Sequence, residues 1–145
     1  MRAASRRDAA SFFVYTAPMT GFLLVFLGAG FGGALRYAVN LTCVRFCGPA
    51  FPWGTLTVNV AGCFVMGLIA AFIATRTDVG AWQNLRLFLL TGILGGFTTF
   101  SAFSLDLVLL WENGPPGPAI AYLFASVILS VAALIVGVSI ARALA

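Results

Sequence analysis

Uncharged hydrogen-bond donors recur at helical spacing inside the apolar parts of this chain. Thr55, Asn59 and Gly62 follow one another at i, i+4 and i+7, and Tyr122, Ser126 and Ser130 at i, i+4 and i+8. Thr99, Ser101 and Ser104 cluster in a third run, with Phe100 and Phe103 among them at i and i+3, so both rings point to nearly the same side of a helix. A phenyl ring has a positive rim and a negative face, so its edge joins the amide, hydroxyl and phenol groups as a neutral donor. Such a lining suits a small anion. An ion leaving water must have its hydration shell replaced, yet fixed arginines along a path would hold an anion too tightly to release it; neutral donors in series bind without trapping. One polar stripe by itself reads as packing, since an interhelical hydrogen bond in a membrane contributes only about 0.6 kcal/mol. Two stripes on two helices suggest a shared polar track.

The stretch 92–104 offers a different chemistry. It lies within an apolar run yet holds three glycines and four hydroxyl residues, a composition that breaks helices. In hydrocarbon every backbone N–H and C=O must find a partner, so a break at membrane depth survives only where protein buries it or a watery cavity meets it. Carbonyls released near Gly95 and Thr98 are hard oxygen ligands suited to a hard cation, and two copies meeting there could enclose an ion of sodium size. A close-packing kink explains the same residues equally well.

Composition says which elements must position these groups. Of the 145 residues 61% are hydrophobic and only 8% charged, against roughly 25% charged in soluble domains, so the chain is a membrane protein. Four apolar runs, each near the roughly 20 residues that cross a bilayer, cover 19–44, 53–74, 87–110 and 118–141. They predict an all-α, single-domain protein of four transmembrane helices (19–145), the third broken near its middle. Short connections rich in Gly, Pro and Asn join the runs, and Trp53, Trp82 and Trp111 fall at run ends, where amphipathic rings favour the headgroup level. Residues 1–18 form a polar leader or tail, expected to be disordered. It is a short cytoplasmic tail, a signal-like leader too long in its apolar part for cleavage, or an upstream extension of a chain starting at Met19.

Charge excludes several classes. Basic residues are all arginine, and only Arg2, Arg6 and Arg7 cluster, which is no nucleic-acid surface. With no histidine and four acids, the usual catalytic constellations are absent and the chain is no enzyme. Cys43, Cys47 and Cys63 read as small hydrophobes rather than as metal ligands. Four helices put both termini on one side with Arg76, Arg86 and Arg142, against Arg45 and Arg36 on the other; the leader's arginines tip that slight bias toward cytoplasmic termini.

Four further residues within the runs carry weight. Gly28 and Gly32 make a G-x-x-x-G that lets helix backbones approach closely. Arg36 either snorkels to the interface or serves a carboxylate or an anion vestibule. Asp106, seven residues after Thr99 and so on its face, reads as a helix-end acid partnered by an arginine.

Taken together, these residues closely resemble the Fluc (CrcB) family of fluoride channels. The likeness covers 28–130 and rests on Gly32-Gly33-Ala34-Leu35-Arg36-Tyr37, on Trp53-Gly54-Thr55-Leu56-Thr57-Val58-Asn59 with Gly62, and on Gly92 with Gly95-Gly96-Phe97-Thr98-Thr99-Phe100-Ser101-Ala102-Phe103-Ser104. It implies a passive fluoride channel of the cell inner (plasma) membrane, an antiparallel dual-topology homodimer with two pores. It also implies a structural sodium ion (Na+) at the dimer centre on the Gly95 and Thr98 carbonyls. The fluoride pathway falls on Asn59, Thr99, Phe100, Phe103, Tyr122, Ser126 and Ser130, with Arg36 at the vestibule. Ala102 stands where many relatives carry threonine, and the arginine-rich leader leaves open a pairing with a homologue of opposite orientation. From other classes, a small proton-coupled cation or drug exporter lacks its central acid here, and a membrane assembly protein has no use for two polar stripes.

Overall fold

The computed structural model describes residues 19–75 and 79–144. The leader 1–18 and the 76–78 part of the second connection, with Arg76, lie outside the described residues. The described chain is helical: α1 (Met19–Cys47), α2 (Trp53–Ala74), α3 (Val79–Arg86), a π-helical segment (Leu87–Leu94), α4 (Gly95–Phe97), α5 (Phe100–Asn113) and α6 (Pro116–Ala143). Among the described residues, four helical stretches are long and apolar enough to cross a membrane, the third being Trp82–Asn113. The protein is thus an all-α, multi-pass membrane protein, with its third crossing broken inside.

Each turn follows from its residues. α1 ends at Cys47 because Gly48 takes a φ of +78°, a left-handed conformation that costs glycine nothing, and returns its N–H to the Val44 carbonyl at 3.0 Å. α6 starts on a proline, whose fixed φ and missing N–H suit a first helical turn. Trp53 opens α2, and Trp111 lies near the end of α5. The third crossing begins at Trp82, earlier than the expected 87, because the polar-faced α3 runs straight into the apolar segment; Trp82 packs edge-on against Phe72 of α2 at 6.0 Å.

The bundle is held by close backbone approach more than by a large core. Phe22 and Phe26 are about three-quarters exposed to the surroundings, which in a bilayer are acyl chains, while Val58 and Tyr122 are the largest side chains fully enclosed. α2 packs chiefly on α6, and α1 chiefly on the π-helical segment. The second contact uses the predicted glycine pair: a Cβ on Gly28 would lie 2.8 Å from the Phe88 oxygen and 2.9 Å from Gly92 Cα, and one on Gly32 would run into the Ile93 carbonyl. Between helices in lipid, dispersion at such close contacts supplies much of the attraction. Gly32→Val is therefore expected to cost about 1–3 kcal/mol, read as a lower unfolding midpoint in detergent. Gly30→Ala, on the same helix with nothing within 4 Å of its new methyl, leaves the midpoint unchanged.

Candidate functional site

The helix break falls on Thr98 and Thr99. Both are extended, with φ/ψ of −81°/158° and −156°/122°, and helix resumes at Phe100. Asn59 of α2 occupies the gap: its Nδ2 donates to the Thr99 carbonyl at 3.1 Å and its Oδ1 accepts the Thr99 N–H at 2.8 Å. One side-chain amide thus replaces both helical partners of one residue. The Thr99 hydroxyl caps α5 by accepting the Ala102 N–H at 3.2 Å, and lies 3.2 Å from the Ser101 hydroxyl. On the other side of the break, the Thr98 N–H and hydroxyl both donate to the Leu94 carbonyl, at 3.0 and 2.9 Å.

These bonds release two carbonyls. In an α-helix the N–H of residue i closes on the oxygen of i−4, so Gly95 would be served by Thr99 and Thr98 by Ala102. Both donors are engaged elsewhere, by Asn59 and by the Thr99 hydroxyl. Gly95 is exposed and Thr98 half-buried. Among the described residues no cluster of His, Cys, Asp or Glu could hold a metal ion.

The two polar stripes face each other in register. At one end, Thr55 of α2 donates to Asp106 Oδ2 at 2.6 Å, and Tyr122 of α6 donates to the same oxygen at 3.4 Å. Asp106 is therefore held by two hydroxyls, which corrects the expected arginine partner: α5 turns this carboxylate into the seam between α2 and α6. One step along, Asn59, Thr99, Phe100, Phe103, Ser126 and Ser130 line a single groove of about 260 Å³. No charged residue lines it. Ser126 is 5% exposed, and the hydroxyl oxygens of Ser126 and Ser130 are buried with no hydrogen-bond partner.

A second cavity of about 490 Å³ opens at the end of the bundle where the first and third connections lie, lined by Asn40, Thr55, Asp106 and Asn113 among others. Tyr122 lines neither cavity; with Phe103, 6% exposed and 5.3 Å away ring to ring, it forms the partition between them. Phe100 and Phe103 are neighbours at 5.5 Å but differ in surroundings, Phe100 being 79% exposed. Arg36 lines neither of these cavities; Asn40, one turn on, reaches the larger one and donates to the Arg36 carbonyl at 3.0 Å.

The family described as CrcB-like protein, Camphor Resistance (CrcB) matches residues 23–138, most of the chain and the whole of this site. The chain belongs to the CrcB family. Similar CrcB relatives carry the name fluoride-specific ion channel FluC. One from Mesorhizobium japonicum is 48% identical over 126 residues, 87% of this chain and 99% of the relative. One from Rhizobium etli is 56% identical over 122 residues, 84% of this chain and 96% of the relative. One from Paracoccus denitrificans is 53% identical over 123 residues, 85% and 95% respectively.

Two features of this CrcB site escape the sequence reading. Cys63 lines the groove, four residues after Asn59 and so on its face, a spacing hidden because Gly62 completes the same stripe. The reciprocal pair of hydrogen bonds between Asn59 and Thr99 joins residues 40 apart and leaves no local signal. Each buried backbone group left unpaired costs about 1–3 kcal/mol, so Asn59→Leu is expected to lose about 2–6 kcal/mol, measured as thermal unfolding in detergent. Asn59→Asp still accepts from the Thr99 N–H but faces its carbonyl with an oxygen, and falls between the two.

Proposed function

We propose that the chain is a fluoride-selective passive channel of the bacterial inner membrane that lowers cytoplasmic fluoride. The observation that carries this is the uncharged groove with the buried, unpartnered hydroxyls of Ser126 and Ser130, set among Asn59, Thr99, Phe100 and Phe103. Donors left unsatisfied at such depth need an acceptor, and a small hard anion is one. The relatives' name supplies which anion. Fluoride enters from the Asp106 cavity, passes Tyr122 and Phe103, and is handed along the two serines. The Thr55 and Tyr122 hydroxyls tie down the Asp106 carboxylate and soften its repulsion of an anion. No acid lines the groove, which leaves a proton-coupled exporter without its exchange site.

Two antiparallel copies complete the path. The exposed Phe100 ring and the exposed Gly95 backbone, each beside the break, are the groups that a second copy would cover. A homodimer is the simpler assembly, and a homologue of opposite orientation fits the same face. The freed carbonyls of Gly95 and Thr98 fit a sodium ion, whose chemistry here is to neutralise oxygen dipoles and so pin the two breaks together. Arg36, with its positive charge on α1, would draw anions toward the mouth.

Purified protein in liposomes loaded with potassium fluoride is expected to release fluoride to an electrode when a potassium ionophore is added. No release, or equal release of chloride, overturns the reading. Phe100→Ile should slow release about ten-fold or more with the elution volume unchanged; an unaltered rate would put the path elsewhere. Extraction with sodium replaced by a bulky organic cation should weaken the dimer or its flux, and indifference to sodium counts against the Gly95 and Thr98 site.

A further inference from the structure

Tyr122 is fully enclosed, yet its hydroxyl holds it only loosely. The hydroxyl donates to Asp106 Oδ2 at 3.4 Å, well beyond the roughly 2.7–2.8 Å usual for such a bond, while Thr55 reaches the same oxygen at 2.6 Å. Other rings place the Tyr122 ring instead. Phe103, which lines the groove, meets it at 5.3 Å; Phe51, which lines the wider cavity, meets it edge-on at 5.5 Å and 88°. Phe51 is itself fixed by the connection between α1 and α2. Pro52 has φ/ψ of −79°/60°, an inverse γ-turn, and the Trp53 N–H closes that turn on the Phe51 carbonyl at 2.8 Å. The Trp53 ring backs the Phe51 ring at 4.6 Å. A row of rings thus runs from the start of α2 to the groove: Trp53, Phe51, Tyr122, Phe103 and Phe100.

We propose that Phe51 is a positioning residue that keeps the Tyr122 partition too narrow for anions larger than fluoride. The proposal rests on the reading of the groove as the fluoride path. Phe51 touches Tyr122 from a cavity of about 490 Å³, so removing its ring opens free volume beside Tyr122. An edge-on ring pair favours its own arrangement by a factor of roughly two to ten. The long hydroxyl bond to Asp106 does not make up for its loss. With Phe51 in place the Tyr122 ring yields slightly, enough for the smallest anion; chloride, a larger ion, needs that ring to swing into the cavity. The Asp106 charge repels every monovalent anion alike, so a limit on size has to come from the walls. Phe51 acts on the ion through Tyr122 and discriminates by bulk.

The test measures chloride and fluoride release from liposomes for the native chain and for full-length variants. Phe51→Ala should raise the chloride-to-fluoride ratio roughly two- to ten-fold with the elution volume unchanged. Phe51→Tyr, which keeps the ring, should leave the ratio at its native value. If Phe51→Ala does not elute as the native protein does, Phe51→Leu carries the test: it keeps apolar bulk and loses the ring contact, and its ratio should rise about two-fold or more. A residue that only stabilised the fold would lower both rates together when replaced, so an unchanged or lower ratio overturns the proposal. An equal rise in Phe51→Tyr also overturns it. A native chain that releases no fluoride overturns the channel reading and takes the clamp with it, whereas native fluoride release with an unmoved ratio in Phe51→Ala overturns the clamp alone.

Discussion

A backbone that leaves helical geometry inside hydrocarbon has to satisfy its amide groups by other means, and the rest of this molecule depends on how that is done at Thr99. The Asn59 amide has one donor and one acceptor edge at the separation a peptide group needs, so it substitutes for a helical neighbour on both sides at once. That lets α5 restart at Phe100 with a new direction, which in turn sets where Phe103 meets Tyr122 and where Asp106 enters the seam between α2 and α6. The same diversion frees the carbonyls of Gly95 and Thr98. The geometry of the groove and that of the freed carbonyls therefore depend on one interaction.

Much of this was legible in the sequence because membranes impose strong rules. The four crossings follow from apolar length, and the glycines of α1 from the need of helices in lipid to touch. The break was expected in 92–104 and fell on Thr98 and Thr99, whose hydroxyls can cap the turns they interrupt. What was not legible is long-range or register-dependent. The π-helical segment differs from an α-helix by a hydrogen bond to i+5 rather than i+4, a difference that leaves the apolar pattern of Leu87–Leu94 unchanged. A helix-end acid in a membrane span suggests an arginine partner, whereas the partners of Asp106 are hydroxyls from two other helices, which no local pattern marks.

The facing rings show the same limit. Spacing alone puts Phe100 and Phe103 on one side of α5, and their centroids are indeed 5.5 Å apart. Their contrast in exposure arises because Phe100 begins the helix at the outer lip of the break, while Phe103, a turn deeper, meets Tyr122. Helical phase determines direction; only the neighbouring helices determine depth.

The equal stride of the two stripes has a consequence for traffic. Four residues of helix rise about 6 Å, so Asn59 and Cys63 of α2 are that far apart along the groove, matched by Ser126 and Ser130 of α6. Two monovalent anions on neighbouring rungs would repel by about 3 kcal/mol at an effective dielectric of about 20. On the proposed path an arriving ion would therefore push its predecessor onward, with a strength set by the four-residue stride.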